Sequence, residues 1–180
     1  KLMDDLGEME HLVREGVAYA RSSHSATEPK LNIDLDALLD SIVYDYQDMG
    51  KQVRLSGKVG KPVSTRPHAL RRVIGNLLDN ANKYSGAGEV ETSSDASGIS
   101  ISVLDRGPGI PEDQLDAVFQ PFYRLERSRS RETGGAGLGL AIAHQLALSL
   151  GATLKLRNRQ GGGLQATLLL PPQAQIQSTG

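Results

Sequence analysis

The stretch from Pro67 to about Tyr84 constrains the fold of this chain most, because it combines an apolar helical stripe with a repeated amide face. Its apolar residues recur at helical spacing and are predicted to pack against a sheet; they are Ile74, Leu77, Leu78 and Ala81. On the opposite face, helical spacing brings together Asn76, Asn80 and Lys83. Asparagine is a poor helix former, but its amide oxygen suits Mg²⁺ and a nearby lysine suits phosphate. Alone, the pattern fits a solvated helix face as well as a nucleotide site, and it leaves Asn82 unexplained.

The remaining periodicities alternate between helix and strand. Amphipathic helices are predicted at 1–21, 34–51 and 137–151, and Gly151 closes the last of them. Strand patterns, of which the last four form two hairpins, cover residues 31–34, 52–59, 61–65, 89–97, 98–105, 152–159 and 163–171. This order predicts an α+β fold, a two-layer sandwich with three helices on one face of a mixed sheet. The polar, proline-containing segment 22–30 is typical of a linker.

Composition excludes several other classes of protein. The 180 residues carry a formal net charge of −1, so no strongly basic field indicates nucleic acid. The chain has no cysteine, and its four histidines lack metal-ligand spacing. No apolar run is long enough to span a bilayer, and no signal peptide is visible. Because the sequence begins inside a helical pattern, we expect it to be a fragment of a longer protein.

A first glycine cluster, "VLDRGPGI" at 103–110, ends an alternating strand. Asp105 is a candidate acceptor for an exocyclic amine such as that of adenine. Gly107 and Gly109 would let the backbone approach a flat base closely. A plain tight turn is the alternative, and the cluster alone does not exclude it.

A second cluster, "GGAGLGLAIA" at 134–143, places glycines directly before and inside a helix start. Free backbone N–H groups and the positive end of the helix dipole make such a start a phosphate site. The spacing fits neither a Walker loop nor a dinucleotide fingerprint. A structural glycine turn is again the alternative.

The stretch between the two glycine clusters is predicted to be a loop with one helical turn at 111–119. Phe119 and Phe122, the only phenylalanines, are expected to stay packed and to anchor this loop. The arginines that follow are candidates for phosphate contacts, with a solvated charge run as the alternative; they are Arg124, Arg127, Arg129 and Arg131.

Four segments, taken in order, resemble the N, G1, F and G2 boxes of bacterial sensor histidine kinases: "NLLDNANKYS", "DRGPGI", "FQPFYR" and "GGAGLGLAI". The resemblance covers roughly residues 30–172 and implies the Bergerat-type ATP-binding fold. It divides the chain into the C-terminal part of the second helix of a dimerisation and phosphotransfer domain (1–21), a linker (22–30), a catalytic ATP-binding domain (31–172) and a tail (173–180).

The resemblance implies a metal and phosphate side of the site. Asn80 is expected to ligate Mg²⁺ together with Asn76, and Lys83 and Arg124 are expected to contact phosphates of ATP. The same side is expected to be lined by Gly135, Gly137, Leu138 and Gly139. Ala136 stands where many members of the family have threonine or serine, so a hydroxyl contact is lost there.

The resemblance also implies a base side. Asp105 is expected to bind the adenine amine, and Tyr84 to pack against adenine or ribose. Gly107 and Gly109 are expected to shape the base pocket. The segment 111–134 is expected to be a mobile lid over ATP, protected from trypsin when a nucleotide binds.

The implied activity is transfer of the γ-phosphate of ATP to a histidine, not hydrolysis. In the gyrase, chaperone and mismatch-repair members of the superfamily a glutamate activates water four residues before the magnesium asparagine, and this chain has Asn76 there. An amide is no general base near neutral pH. The rival readings are an ATPase, which needs that glutamate, and a degenerate module that only binds a partner.

The phosphoacceptor histidine box of the family is absent from the sequence, and His11 lacks its context. We therefore expect no self-phosphorylation by this chain alone and only weak self-association. The implied partners are its own dimerisation domain, in a homodimer of the full-length protein, and a response regulator. The implied location is a cytoplasmic domain of a bacterial inner-membrane protein.

Overall fold

The computed structural model describes residues 2–22, 27–125 and 137–172. Four helices lie in this part of the chain: α1 (Leu2–Ser22), α2 (Leu35–Asp48), α3 (Pro67–Ser85) and α4 (Gly139–Ser149). The strands are β1 (Leu31–Asp34), β2 (Gln52–Ser56), β3 (Pro62–Thr65), β4 (Ala87–Asp95), β5 (Gly98–Leu104), β6 (Thr153–Asn158) and β7 (Leu164–Leu170).

The main sheet has five strands in the order β2-β4-β5-β7-β6. Strands β2 and β4 pair in parallel and the other pairs are antiparallel, so the sheet is mixed. A separate two-stranded sheet pairs β1 with β3. Helices α2, α3 and α4 bury their apolar sides against the inner residues of the main sheet. The predicted α+β sandwich is therefore confirmed.

Helix α3 is the centre of the core. All seven of its buried residues lie on one stripe, as the sequence predicted for the four named above; they are Ala69, Leu70, Val73, Ile74, Leu77, Leu78 and Ala81. Pro67 occupies its first turn, where a missing N–H costs nothing. Gly86 ends it in the left-handed conformation at φ 74°.

Helix α1 packs on the domain through its C-terminal end. Ala18 and Tyr19 contact the core, and buried Ser22 donates its hydroxyl to the carbonyl of Tyr19 and lies 2.5 Å from Gln145 Oε1. Earlier along α1, its large apolar residues are exposed: Leu6, Met9, Leu12, Val13 and Val17. No helix in the described residues is long and apolar enough to cross a membrane.

The segment after α1 is fixed to the start of α3. The Glu28 carboxylate accepts hydrogen bonds from the backbone N–H groups of His68 and Ala69, at 2.9 and 3.0 Å. A carboxylate at this position satisfies free helix amides and complements the helix dipole. Arg66 bridges the Glu28 carbonyl and the Ser149 carbonyl at the end of α4. Residues 23–26 of the predicted linker lie outside the described part.

Candidate nucleotide-binding site

The polar face of α3 lies beside the start of α4. Asn76 donates to the carbonyl of Arg72 at 2.7 Å, which turns its oxygen away from its own helix backbone. That oxygen lies 3.7 Å from where a Cβ on Gly139 would sit. Within 2–22, 27–125 and 137–172, the half-buried amide of Asn80 makes no hydrogen bond. The asparagine face and the second glycine cluster are therefore neighbours.

Lys83 and Tyr84 extend this face toward the end of α3. The Lys83 ammonium group is exposed and lies 5.2 Å from the centre of the Tyr84 ring. Tyr84 is half-buried, and its backbone borders the first glycine cluster, as described below.

Asn82 does not belong to the shared face, and its side chain is partly buried. Its amide donates to the Leu78 carbonyl at 2.8 Å, one turn back along the helix. Its Oδ1 is buried and, among the described residues, has no hydrogen-bond partner. The unpartnered oxygen carries an uncompensated desolvation cost.

Asp105 is buried directly after β5, with 8% of its surface exposed. Its Oδ1 accepts hydrogen bonds from the N–H groups of Gly107 at 2.8 Å and Leu164 at 3.1 Å. Both backbone groups of Asp105 are also hydrogen-bonded: its N–H donates to the Leu164 carbonyl, and its carbonyl accepts from the Arg159 guanidinium group. In the described part of the chain Oδ2 has no partner, so one carboxylate oxygen is free to accept a ligand donor.

The two glycines after Asp105 lie where a side chain would crowd neighbouring atoms at Gly107 and collide with them at Gly109. A Cβ on Gly107 would sit 3.1 Å from the Tyr84 carbonyl oxygen and 3.2 Å from Asp105 Oδ1. Gly109 has φ +71°, and its Cβ would lie 2.5 Å from Asn158 Oδ1. The end of α3, Asp105 and the glycine loop are thus in mutual contact, as the prediction of one base pocket requires.

The loop after the first cluster forms two 3₁₀ turns, Glu112–Gln114 and Ala117–Phe119, where one helical turn was predicted. It has its own small core of Ile110, Val118 and Leu164. The Tyr123 hydroxyl donates to Gln114 at 2.8 Å.

The two phenylalanines of this loop differ. Phe119 is packed as predicted, with its ring stacked on His144 of α4 at a centroid distance of 4.7 Å. Phe122 is 63% exposed and has a φ of 64°, which is unusual for a residue with a bulky side chain. The prediction that Phe122 stays packed is therefore wrong.

Gly137 joins the end of this loop to α4. Its carbonyl accepts from the Phe122 N–H at 3.1 Å, and at φ +72° its Cβ would lie 2.6 Å from the Tyr123 carbonyl oxygen. Arg124 passes against it, with Cγ 3.0 Å from the same Cβ position. Gly135, Ala136, the arginines at 127, 129 and 131, and residues 126–134 of the predicted lid lie outside the described residues.

The residue that precedes α4 gives its first turn no side-chain cap. Leu138 precedes the helix, is completely buried and makes no capping hydrogen bond. The backbone N–H groups of that turn, beside Gly139, therefore carry the positive end of the helix dipole without a protein acceptor from the cap residue.

The donor set fits Mg²⁺ better than a transition metal. Among the residues that the structure describes, no group of three or more His, Cys, Asp or Glu side chains is placed to hold a metal ion. Neutral amide oxygens at Asn76 and Asn80 suit an ion that keeps most of its ligands as water and phosphate oxygens. The residues present therefore fit Mg²⁺ bound together with a nucleotide.

Sequence reasoning missed Asn158 and Arg159, which follow one another at the end of β6. Asn158 bonds to both backbone groups of Ile110, and Arg159 donates to the Asp105 carbonyl at 2.8 Å. The three consecutive glycines after them were interpreted only as a hairpin turn. Gly163 lies so close to Asp105 that a Cβ there would sit 2.1 Å from its carbonyl oxygen.

Comparison with known proteins agrees with this arrangement. Residues 65–174 match the family described as histidine kinase-, DNA gyrase B-, and HSP90-like ATPase. The sensor histidine kinase GtrS of Pseudomonas aeruginosa is 37% identical over 169 residues, 93% of this chain and 34% of that protein. The sensor protein RstB of Escherichia coli is 37% identical over 173 residues, covering 93% of this chain and 40% of that protein.

Solved structures show the same fold. The ATP-binding domain of PrrB from Mycobacterium tuberculosis superposes with a TM-score of 0.66 at 27% identity, over 81% of this chain and 98% of that one. Full-length ShkA in complex with AMPPNP gives a TM-score of 0.72 at 25% identity, over 94% of this chain and 38% of that one.

The chain therefore belongs to the histidine kinase-, DNA gyrase B- and HSP90-like ATPase family. Within that family it is a catalytic ATP-binding domain of the bacterial sensor histidine kinase type. It spans only 34% and 40% of the length of the two curated relatives named above.

Proposed function

We propose that this chain holds Mg-ATP and presents its γ-phosphate to a histidine on another domain of the same protein. The observation that carries the proposal is the meeting of three elements: the amide face of α3, the glycine-containing start of α4 and the Asp105 loop. ShkA, which has the same fold, is described as a complex with AMPPNP.

In this proposal adenine enters beside Asp105. The free Oδ2 accepts the adenine amine, while Oδ1 remains bonded to the N–H groups of Gly107 and Leu164. Gly107 and Gly109 shape the pocket, because their lack of a side chain lets the loop backbone pack closely against Tyr84 and Asn158. A base without an exocyclic donor at this position leaves the buried oxygen unpaired and is rejected.

The triphosphate extends from there along α3 toward the start of α4. Asn80 and Asn76 hold Mg²⁺, which when bound neutralises charge on the phosphate oxygens. The ammonium group of Lys83 contacts phosphate, and the N–H groups beside Gly137, Leu138 and Gly139 donate hydrogen bonds to phosphate oxygens. Arg124, beside Gly137, contacts phosphate in the same way, and Gly135 completes this lining.

Asn76 explains why ATP is kept intact until a nucleophile arrives. Its amide nitrogen already donates to the Arg72 carbonyl, and an amide takes no proton from water near neutral pH. The nucleophile is a histidine ring nitrogen of a separate domain. It forms a bond to the γ-phosphorus while the bond to the bridging oxygen breaks, and ADP leaves.

The domain arrangement follows from the same proposal. Residues 1–21 are the end of the second helix of a dimerisation and phosphotransfer domain, 22–30 a linker, 31–172 the catalytic domain with a lid at 111–134, and 173–180 a tail. The exposed apolar side of α1 is consistent with a helical partner in a homodimer. The phosphate then passes to a response regulator, and the full-length protein is anchored in the bacterial inner membrane.

Calorimetry with ATP and ADP, with and without Mg²⁺, tests the proposal. We expect binding of both nucleotides that strengthens when Mg²⁺ is present. Radiolabelled ATP should leave no acid-labile phosphate on this chain alone, and label should appear on an added polypeptide that carries the two helices with the acceptor histidine. Rapid hydrolysis of ATP by the isolated chain would favour the ATPase reading instead.

A further inference from the structure

Asn158, the last residue of β6, makes an unusual set of hydrogen bonds to the loop after Asp105. Its Oδ1 accepts from the Ile110 N–H at 2.9 Å, and its amide nitrogen donates to the Ile110 carbonyl at 2.6 Å. The same nitrogen donates to Glu112 Oε1 at 2.8 Å. The Asn158 side chain thus satisfies both backbone groups of Ile110, as a neighbouring β-strand would.

The β6–β7 hairpin holds the other end of this loop as well. Leu164 exchanges two hydrogen bonds with Asp105, and the Arg159 guanidinium group donates to the Asp105 carbonyl. The segment 105–110 is therefore fixed at both ends by one hairpin. Gly109 lies between these ends and against Asn158, where any side chain would collide.

We propose that Asn158 is a positioning residue for adenine: it holds the Gly109–Ile110 backbone in the conformation that the base requires. This inference rests on the proposed nucleotide site, although Asn158 itself need not touch the nucleotide. It predicts that the base pocket is formed before ligand binds.

The physical reason is the cost of ordering a backbone. If Asn158 is removed, Gly109 and its neighbours regain conformational freedom that the ligand must then restrict on binding. The loss falls on ligands that contain the base. Phosphates bound near α3 and α4 do not use this loop.

The test compares Asn158→Ala with Arg157→Ala. Arg157 is the adjacent residue on the same strand, is exposed, and hydrogen-bonds to Gln165 away from the loop. We expect Asn158→Ala to weaken adenosine and ADP about tenfold, the result of ordering roughly one more residue on binding. Magnesium tripolyphosphate should bind within about twofold of wild type, and Arg157→Ala should match wild type for every ligand.

Three results overturn the inference. If Asn158→Ala binds adenosine as tightly as wild type does, the inference is wrong but the proposed function stands. The same holds if adenosine and tripolyphosphate lose affinity equally, because an equal loss indicates a merely structural role. Wild type that binds no adenine compound refutes the proposed function, and this inference with it.

Two further measurements test the inference even if Asn158→Ala fails to fold. Hydrogen exchange of the Ile110 amide in wild type should be slow without nucleotide, and fast exchange there contradicts a preformed clamp. Asn158→Asp loses both donated bonds and faces the Glu112 carboxylate. Adding Glu112→Gln restores a donor, so the double variant should recover about threefold of the adenosine affinity lost by Asn158→Asp alone, and no recovery counts against the proposal.

Discussion

The base side and the phosphate side of this site are built differently. On the base side, Asp105 and the loop after it are held by hydrogen bonds from β6 and β7 at both ends. On the phosphate side, in the residues that the structure describes, Asn80 makes no hydrogen bond and the first turn of α4 has no side-chain cap. The base side is thus held mainly by hydrogen bonds within the protein, whereas the Asn80 amide of the phosphate side is left for a ligand within the described residues.

This difference assigns different tasks to the two halves. A pocket that is fixed before binding selects ligands by its shape and by the one unpaired oxygen of Asp105. Both discriminate between ligands because moving either one costs free energy. The phosphate side, where Asn80 makes no hydrogen bond in the described residues, gains stabilisation when Mg²⁺ and phosphates bind. Loss of a group should therefore change selectivity on the base side and magnesium-dependent affinity on the phosphate side.

The largest effect is expected from Asn80→Ala. The variant removes a ligand of Mg²⁺, and metal sites lose roughly 10–100-fold even when only supporting groups are removed. We expect a loss of Mg-ATP affinity of about a hundredfold, with ATP affinity in EDTA almost unchanged. Calorimetry in both buffers measures this.

The matched control for Asn80→Ala is Asn82→Ala, on the same helix. Asn82 bonds back to the Leu78 carbonyl and lies apart from the shared face, so magnesium dependence should survive its loss. Equal Mg-ATP affinity of wild type and Asn80→Ala would remove the metal site from this face.

Asp105→Asn should have the next largest effect. The amide oxygen of the variant can still accept from Gly107 and Leu164, but its nitrogen then faces the adenine amine, donor against donor. We expect adenine nucleotides to weaken about thirtyfold and tripolyphosphate to stay within about twofold, because a mispaired buried group costs on the order of 2 kcal/mol.

Asp95→Asn is the control for that loss of charge. Asp95 is exposed in the β4–β5 turn, and its carboxylate accepts from Ser97, which lowers the pKa of the Asp95 carboxyl. Its variant should bind every ligand as wild type does. If Asp105→Asn weakens tripolyphosphate as much as ATP, the base-side assignment is wrong.

Gly137→Ala tests whether the phosphate side depends on the contact between the loop and α4. The new Cβ meets the Tyr123 carbonyl oxygen at 2.6 Å, so the backbone must shift. We expect about fivefold weaker tripolyphosphate binding and a free energy of unfolding lower by about 1–3 kcal/mol. Gly151→Ala imposes a similar positive φ with nothing within 4 Å, so it should lower stability without changing binding.

The elements that sequence predicted well are those governed by local periodicity. The stripe of α3 is buried as its spacing required, and Pro67 and Gly151 mark helix ends as their backbone preferences dictate. The role of Asn80 as a magnesium ligand stays a prediction, because it concerns a ligand and not a contact within the chain.

Long-range contacts were beyond the sequence. Asn158 contacts a residue 48 positions away, and Glu28 caps a helix 40 positions away, so no local sequence pattern predicts either contact. The prediction that Phe122 is packed failed for a related reason. Its hydrophobicity predicted burial, but the backbone bond to Gly137 holds it at positive φ with the ring pointing outward.

The smallest effect on binding is expected from Tyr46→Phe, behind the phosphate side. The Tyr46 hydroxyl of α2 lies 2.6 Å from Asp79 Oδ1 and 3.0 Å from the Gly75 carbonyl oxygen, so it fastens α2 to α3 next to Asn80. Burial, and then the hydrogen bond and negative charge of Asp79, raise the pKa of the Tyr46 hydroxyl well above its ordinary value of 10.0. A phenol whose pKa is raised by folding stabilises the folded state fully below pH 10, and this contribution is lost as pH rises toward the folded pKa. We expect Tyr46→Phe to lower the free energy of unfolding by about 1 kcal/mol at pH 8 and to change Mg-ATP affinity less than twofold. Urea unfolding of both proteins at pH 8 and pH 10.5 should show that the difference between their free energies of unfolding shrinks at the higher pH.

A difference that grows with pH would mean that Tyr46 ionises more easily in the folded protein. A large loss of Mg-ATP affinity would mean that the placement of α3 by α2 belongs to the site itself.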